Sequence, residues 1–314
     1  MSDDKIENPV SFSKLQELED DFEDVEVELL RQQAKLTADL YTKRAQVIAD
    51  IPNFWPLVLE QSPADLDEYI QPTDSAVLLS SLTGLSVERF ELASGGDPRS
   101  IAIKLTFAPN DYFSDTTLEK KFWWRYASDG WAGLVSEPVE ISWKSKDKDL
   151  TQGLLDLVCR VRAAERQLPA GKTKLDDDAE PKKSLLAQME ATGLGGVSFF
   201  AWFGFCGRNV SAEESKEAFK QEQAKRQKRK AGEEVDDDDD EDDDDDDFDE
   251  YETEIFPTAD DVAVCIAEDV WPNAIKYFIT AMEHDALSDM DFEESDEEME
   301  EADGEEHTSK KRKA

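Results

Sequence analysis

Histidine is almost missing from this 314-residue sequence: there are two, His284 and His307, both in or beside an acidic stretch near the end. Neither has the neighbours of a catalytic triad or a metal site. The three cysteines, Cys159, Cys206 and Cys265, are scattered and lie near apolar residues. That pattern suits buried thiols in a reducing compartment, not a disulfide frame, and no pair has zinc-ligand spacing. There is no Gly-rich phosphate loop. The acidic runs lack the spaced ligands and turn glycine of a calcium loop, so they hold divalent ions no better than any polyanion. No apolar stretch approaches the ~20 residues that span a bilayer. The opening MSDDKIENPV has no charged-then-apolar leader, so a soluble intracellular protein is expected. Nothing among the many carboxylates selects a catalytic pair, so the expectation is a non-enzyme that needs no cofactor.

What the sequence has in excess is acid. It carries 76 Asp and Glu against 35 Lys and Arg, for a net charge of −41. Asp236 to Glu250 holds 14 acids in 15 residues, broken only by Phe248, and Glu283 to Glu306 holds another 14. Setting those two runs aside leaves −13 on the rest. Such a chain repels nucleic acid and anionic membranes and attracts polycations, with an attraction that weakens in salt. The plainer reading of the runs is solvated tails that maintain solubility.

Residues 11–50 read as one long helix, capped by Ser11 or Ser13 and uninterrupted by Gly or Pro before Pro52. Leu15, Leu18, Phe22, Val25 and Leu29 recur at 3-4-3-4 spacing, a coiled-coil stripe. Leu36 continues the register, whereas Gln32 and Asp39 loosen it. Such a helix is roughly 60 Å long, too long for a small domain to bury. A second copy is the simplest partner for the stripe, so a homodimer is expected; the alternative is a helix folded back on its own domain.

Ile51 to Leu82 reads as short helices, one capped by Ser62-Pro63 and the next by Asp74. Ile101, Ile103, Leu105 and Phe107 alternate strictly with other residues, as do Val139, Ile141 and Trp143. With turns at 95–98 and 128–130, this predicts a four-stranded antiparallel meander over 85–92, 99–107, 118–127 and 138–144. Helices over one face give an α+β domain. Thr151–Leu168 is helical, Pro169–Lys183 is polar linker, and Val197–Phe203 is too apolar to be left exposed. Ser211 and Glu214 form a capping box that opens a helix ending in Lys225, Arg226, Lys228, Arg229 and Lys230. Charge density predicts disorder over 232–255 and again after Glu283. The organisation expected is therefore a long dimerisation helix (1–50), an α+β domain (51–210 with 258–282), an inserted basic helix and acid run (211–257), and an acidic tail (283–314) closing with Lys310, Lys311, Arg312 and Lys313.

Five segments, in order, resemble the nucleosome assembly protein family and its SET-like branch. They are Ile51-Pro52-Asn53-Phe54-Trp55; Phe107 to Phe113 (FAPNDYF); Ile141-Ser142-Trp143-Lys144 with Asp149-Leu150-Thr151; Ser198 to Phe203 (SFFAWF); and Ile266 to Phe278 (IAEDVWPNAIKYF). With the helix before them they span residues 11–278. The resemblance implies a dimer through the long helix, an "earmuff" domain on each subunit, and a histone chaperone that binds and shields core histones for nucleosome assembly or disassembly. By family position, Asp260, Asp261, Glu268 and Asp269 are the expected histone-binding face. The partner would be the central-tetramer histone pair, the flanking-dimer pair or both. Family members also imply an alternative: a cofactor of a histone-modifying enzyme such as a histone acetyltransferase, or a phosphatase inhibitor. A nuclear location, with shuttling to the cytoplasm, goes with either.

The basic clusters at 225–230 and 310–313 read as nuclear import signals. The first has a second reading, folding onto the adjacent acid run and masking it. Ser288 and Ser295 each have acids at +1 and +3, which suits an acidophilic kinase. Segments 152–192 and 204–257 depart from the family pattern.

Overall fold

The long helix is α1, Phe12–Ile48. At 37 residues it is about 55 Å long, and it stops short of Pro52, which has no N–H for a further turn. The computed structural model describes residues 12–169, 174–231 and 251–284, with side chains from residue 14. The run 236–250 and nearly all of the C-terminal acidic segment lie outside the described residues.

The two sides of α1 differ: one packs on its own domain and the other is exposed. Asp20, Arg44 and Ile48 are buried, and Gln16, Glu23, Val27, Leu30, Ala34 and Tyr41 are half-buried, all turned toward the chain's own domain. The predicted stripe of Leu15, Leu18, Phe22, Val25, Leu29 and Leu36 is 47–74% exposed. Leu40 and Val47 extend it beyond the polar break at Asp39.

The domain is α+β, with a four-stranded antiparallel sheet in the order β1-β2-β3-β4. The strands are β1 (Leu82–Glu88), β2 (Ile101–Phe107), β3 (Thr117–Tyr126) and β4 (Ala132–Ser136). The expected fourth strand, 138–144, is corrected to Ala132–Ser136. Gly130 has φ 89°, a left-handed conformation open to glycine at no steric cost. Ala127 N–H donates to Trp131 O at 2.8 Å across that turn, so the chain returns at once. Tyr126 then pairs with Ala132 and Phe122 with Ser136. Val139 and Trp143 bond elsewhere: Val139 N–H donates to Phe203 O at 2.9 Å, and Trp143 bridges Phe113. Their alternation records one buried face and not membership of the sheet.

Helices α2 (Phe54–Glu60), α3 (Ala64–Asp67), α4 (Pro72–Ser81), α5 (Leu154–Glu165), α6 (Lys182–Thr192), α7 (Ala212–Lys230) and α8 (Ala259–Cys265) complete the domain. A π-helical turn at Ile266–Val270 and a helix over 274–284 follow. Two expected caps are corrected. Ser62 Oγ donates back to Leu59 O at 2.6 Å, closing α2, and α3 starts after Pro63. Asp74 is the third residue of α4, whose N-cap is Gln71. Its fully buried carboxylate accepts from Gln71 N (3.0 Å), Ser198 Oγ (2.6 Å) and Phe199 N (2.7 Å). Burial pushes Asp74 above the usual carboxylate range, with those bonds opposing. The carboxylate ties the SFFAWF segment to α4. Ser211 does cap α7, accepting from Glu214 N at 3.1 Å.

The five sequence segments meet as rings. Phe107, Phe113, Trp143 and Phe200 form one cluster, with Phe107 and Phe113 centroids 5.0 Å apart and Trp143 and Phe200 5.8 Å apart. Trp55 stacks on Trp271 at 5.6 Å and Phe54 on Phe278 at 4.9 Å, so the first segment closes on the last. Trp202, fully buried, packs on Phe122 and donates its indole N–H to Ala259 O at 2.8 Å. A fully buried ring such as Phe113 or Phe200 contributes about 1.5–3 kcal/mol by burial, and each pair about 0.5–1.5 kcal/mol more.

Candidate functional site

The predicted acidic face is divided in two by its own hydrogen bonds. Asp260 and Asp261 stand in the first turn of α8, where the helix dipole favours carboxylates. Asp261 is exposed. Asp260 is half-buried, and burial followed by the charge of Asp261 raises its pKa. Two turns further on, Glu268 pairs with Arg89 at 3.0 Å. Asp269 accepts from Asn273 Nδ2 (2.8 Å) and from Tyr277 OH (3.0 Å). Glu268, 48% exposed, is thus paired within the domain yet still reaches solvent, Asp269 is half-buried and bonded internally, and Asp261 faces solvent without such a pair among the described residues.

The sequence did not single out the other half of this surface. Helix α3 packs against α8 and presents Asp65, Asp67 and Glu68, all exposed. Burial, followed by the charges of Asp269 and Asp65, pushes the Cys265 thiol up to about 11. The α3–α8 end is therefore a solvent-facing anionic surface, able to hold cationic side chains by many weak, salt-sensitive contacts. The local signal was the string Ala64-Asp65-Leu66-Asp67-Glu68, in which only Leu66 is buried.

Among the described residues, the basic cluster at the end of α7 lies against α1. Arg226 reaches Glu23 (2.5 Å), Asp20 (3.4 Å), Asp24 (3.5 Å) and Glu222 (3.2 Å). Arg229 pairs with Asp20 (3.0 Å) and Glu222 (2.8 Å), and Lys230 with Asp21 (2.8 Å). The Arg229 side chain is 4% exposed and that of Lys230 44%. Lys228 is exposed and Lys225 half-buried. The acid that covers this cluster belongs to α1, roughly 200 residues away in sequence. Glu23 also accepts from Arg99 Nη1 at 2.6 Å. Burial acts to raise Glu23, but the hydrogen bonds from Arg99 and Arg226 outweigh it and hold the carboxyl below its usual range.

Lys310, Lys311, Arg312, Lys313, Ser288 and Ser295 lie outside the described residues.

Inside the domain, Lys120 is fully buried and donates to the carbonyls of Glu137 (2.7 Å), Phe203 (3.0 Å) and Phe205 (2.6 Å). Burial lowers it to about 8. Glu254 accepts from Cys206 N (3.0 Å) and Gly207 N (2.7 Å), and burial raises it to about 7. Lys120 staples β3 to the end of the SFFAWF segment, and Glu254 holds the residues just after it. Burial pushes the Cys159 and Cys206 thiols to about 11 and about 12, leaving them without nucleophilic thiolate. Among the described residues no group of His, Cys, Asp and Glu could hold a metal ion, and no helix is long and apolar enough to cross a membrane.

A family model described as nucleosome assembly protein (NAP) matches residues 45–281. A protein of Schizosaccharomyces pombe whose name assigns it provisionally to nucleosome assembly is 37% identical over 150 residues, covering 44% of this chain and 59% of its own length. The chain thus spans less than two thirds of that relative. NAP1-related protein 2 of Arabidopsis thaliana is 24% identical over 276 residues, 86% of this chain and 76% of its own. The crystal structure of Vps75 superposes with a TM-score of 0.52 at 20% identity, over 86% of this chain and 98% of that one. The likeness to Vps75 is one of fold.

Proposed function

Since the chain belongs to the nucleosome assembly protein family, we propose that it is a histone chaperone: a dimer that binds core histones, shields their charge and delivers them to or from DNA without catalysing a reaction. The observation that carries this reading is the family fold combined with a net charge of −41. Histones bind DNA by neutralising phosphates and releasing counterions. A protein that competes without trapping them needs many weak carboxylate contacts that exchange quickly.

In this reading Asp260 and Asp261, with Asp65, Asp67 and Glu68 beside them, dock the histone, whereas Glu268 and Asp269 fix the shape of that surface. The acid runs 236–250 and 283–306 hold basic extensions. The exposed stripe from Leu15 to Val47 pairs with a second copy, because an isolated apolar stripe of that length on a soluble helix needs a cover. Residence in the nucleus follows from the work, with Lys310 to Lys313 as import signal. Either core-histone pair fits a surface of this kind.

The test mixes purified core histones with DNA at physiological salt, where they precipitate. Added chain should keep histones soluble and yield nucleosomes. If it delays precipitation of histones no better than that of another basic protein of equal charge, it is a solubilising polyanion and the chaperone reading fails.

A further inference from the structure

The α7–α1 contact has a construction that the chaperone reading does not use. The first half of α7 is anchored on the sheet. Ser215 Oγ accepts from Tyr126 N at 3.0 Å, Ala218 is buried, and the Phe219 ring lies 5.0 Å from that of Tyr126. Beyond Phe219, α7 meets α1 through the ion pairs of Arg226, Arg229 and Lys230 with Asp20, Asp21, Glu23 and Asp24. These cations are spaced three and four apart, as on one face of any basic helix.

The contact is also imperfectly made. Arg229 Nε and Gln16 Oε1 are buried without a hydrogen-bond partner. Both residues line a cavity of about 520 Å³ between α1, the β3–β4 turn and α7. Buried polar atoms left unpaired are costly, which weakens this contact relative to a fully satisfied one. Charge pairs near the surface are moreover screened and exchangeable.

We infer that the cationic end of α7 is an internal occupant of the acidic face of α1, and that a basic helical polypeptide displaces it and binds there. The α1 face is then a second docking surface, closed until a partner of sufficient positive charge arrives. The inference rests on the reading that the chain binds basic proteins. It adds a gate: weakly basic polypeptides fail to open the face, and strongly basic ones do.

The experiment measures binding of a short fluorescent Arg- and Lys-rich helical peptide to four full-length chains. They are the wild type; R226Q/R229Q/K230Q; a charge-matched control, K104Q/K146Q/K183Q, at exposed lysines; and the first variant with D20N/D21N/D24N added. Release of α7 should tighten binding about tenfold relative to the charge-matched control, and neutralising α1 should abolish that gain. In the wild type, spin labels at positions 17 and 228 should move apart when peptide is added; this readout stands even if a variant folds poorly. Equal binding by the released chain and the control, or an unchanged label distance, overturns the gate while leaving the chaperone reading intact. No binding by any of the four chains overturns both.

Discussion

The two ends of α1 are fastened to the same domain by opposite physics. At the C-terminal end, Tyr41 packs on Trp271 with ring centroids 5.1 Å apart, and the Arg44 guanidinium lies 4.0 Å over the same indole and donates to Trp271 O. Trp55 stacks on the same indole, and the Arg44 guanidinium also lies 5.7 Å from the Trp55 ring. At the N-terminal end, carboxylates meet arginines and a lysine. The first contact draws on ring packing and desolvated cation–π attraction, insensitive to salt. The second draws on charge, which salt and acid both weaken. One helix is thus rooted at its end and held conditionally along its beginning.

The comparison can be broken most severely from outside both contacts. Replacing Leu18, Phe22 and Leu29 together by Asp should turn the proposed dimer into monomer, weakening self-association by more than about 100-fold. The domain's melting temperature, measured on the monomer, should hardly move, because these residues are exposed. Sedimentation velocity reads the first effect and calorimetry the second. Next comes Trp271→Ala, which should cost about 3–5 kcal/mol and leave the contact at Asp20 in place. Hydrogen exchange should accelerate over residues 41–48 and not over 14–24.

A smaller effect is expected from R226Q/R229Q/K230Q: a modest loss of stability at low salt, approaching nothing at high salt. Exchange should then accelerate over 14–24 alone. The smallest is a pH effect. Glu23 is depressed in the folded chain, so its contribution is present above the ordinary carboxylate pKa of about 4.5 and lost as pH falls through its lower folded value. Exchange over 14–24 should therefore rise in acid before exchange over 41–48. Arg44 keeps its charge throughout, although burial pushes it down.

Much of the frame was legible because it is written locally. A stretch of 37 helical residues without Gly or Pro announces itself, and so does an apolar residue every third or fourth position. The sheet was legible in strand number, but not in its last strand, since alternation at Val139, Ile141 and Trp143 records one buried face and not membership of the sheet. The apolar stripe was followed to Leu36 and lost there; Leu40 and Val47 resume it after a skip that a strict heptad does not admit. The paired cluster at Asp20 and Arg229 left no local trace: opposite charges far apart in sequence fit many partners, and only the fold chooses one. Glu268 and Asp269 show the converse. Their positions were readable from the resemblance, but the internal hydrogen bonds that occupy them were not.

The most direct measurement is the affinity of both core-histone pairs, across a salt series, for the full chain and for a chain ending at residue 282. The account predicts tight binding by the full chain, clearly stronger than its binding to other basic proteins of equal charge. It predicts weaker binding and a shallower salt slope for the shortened chain, with the dimer intact. Binding to histones that matches the other basic proteins, or that is unchanged by the deletion, would contradict it.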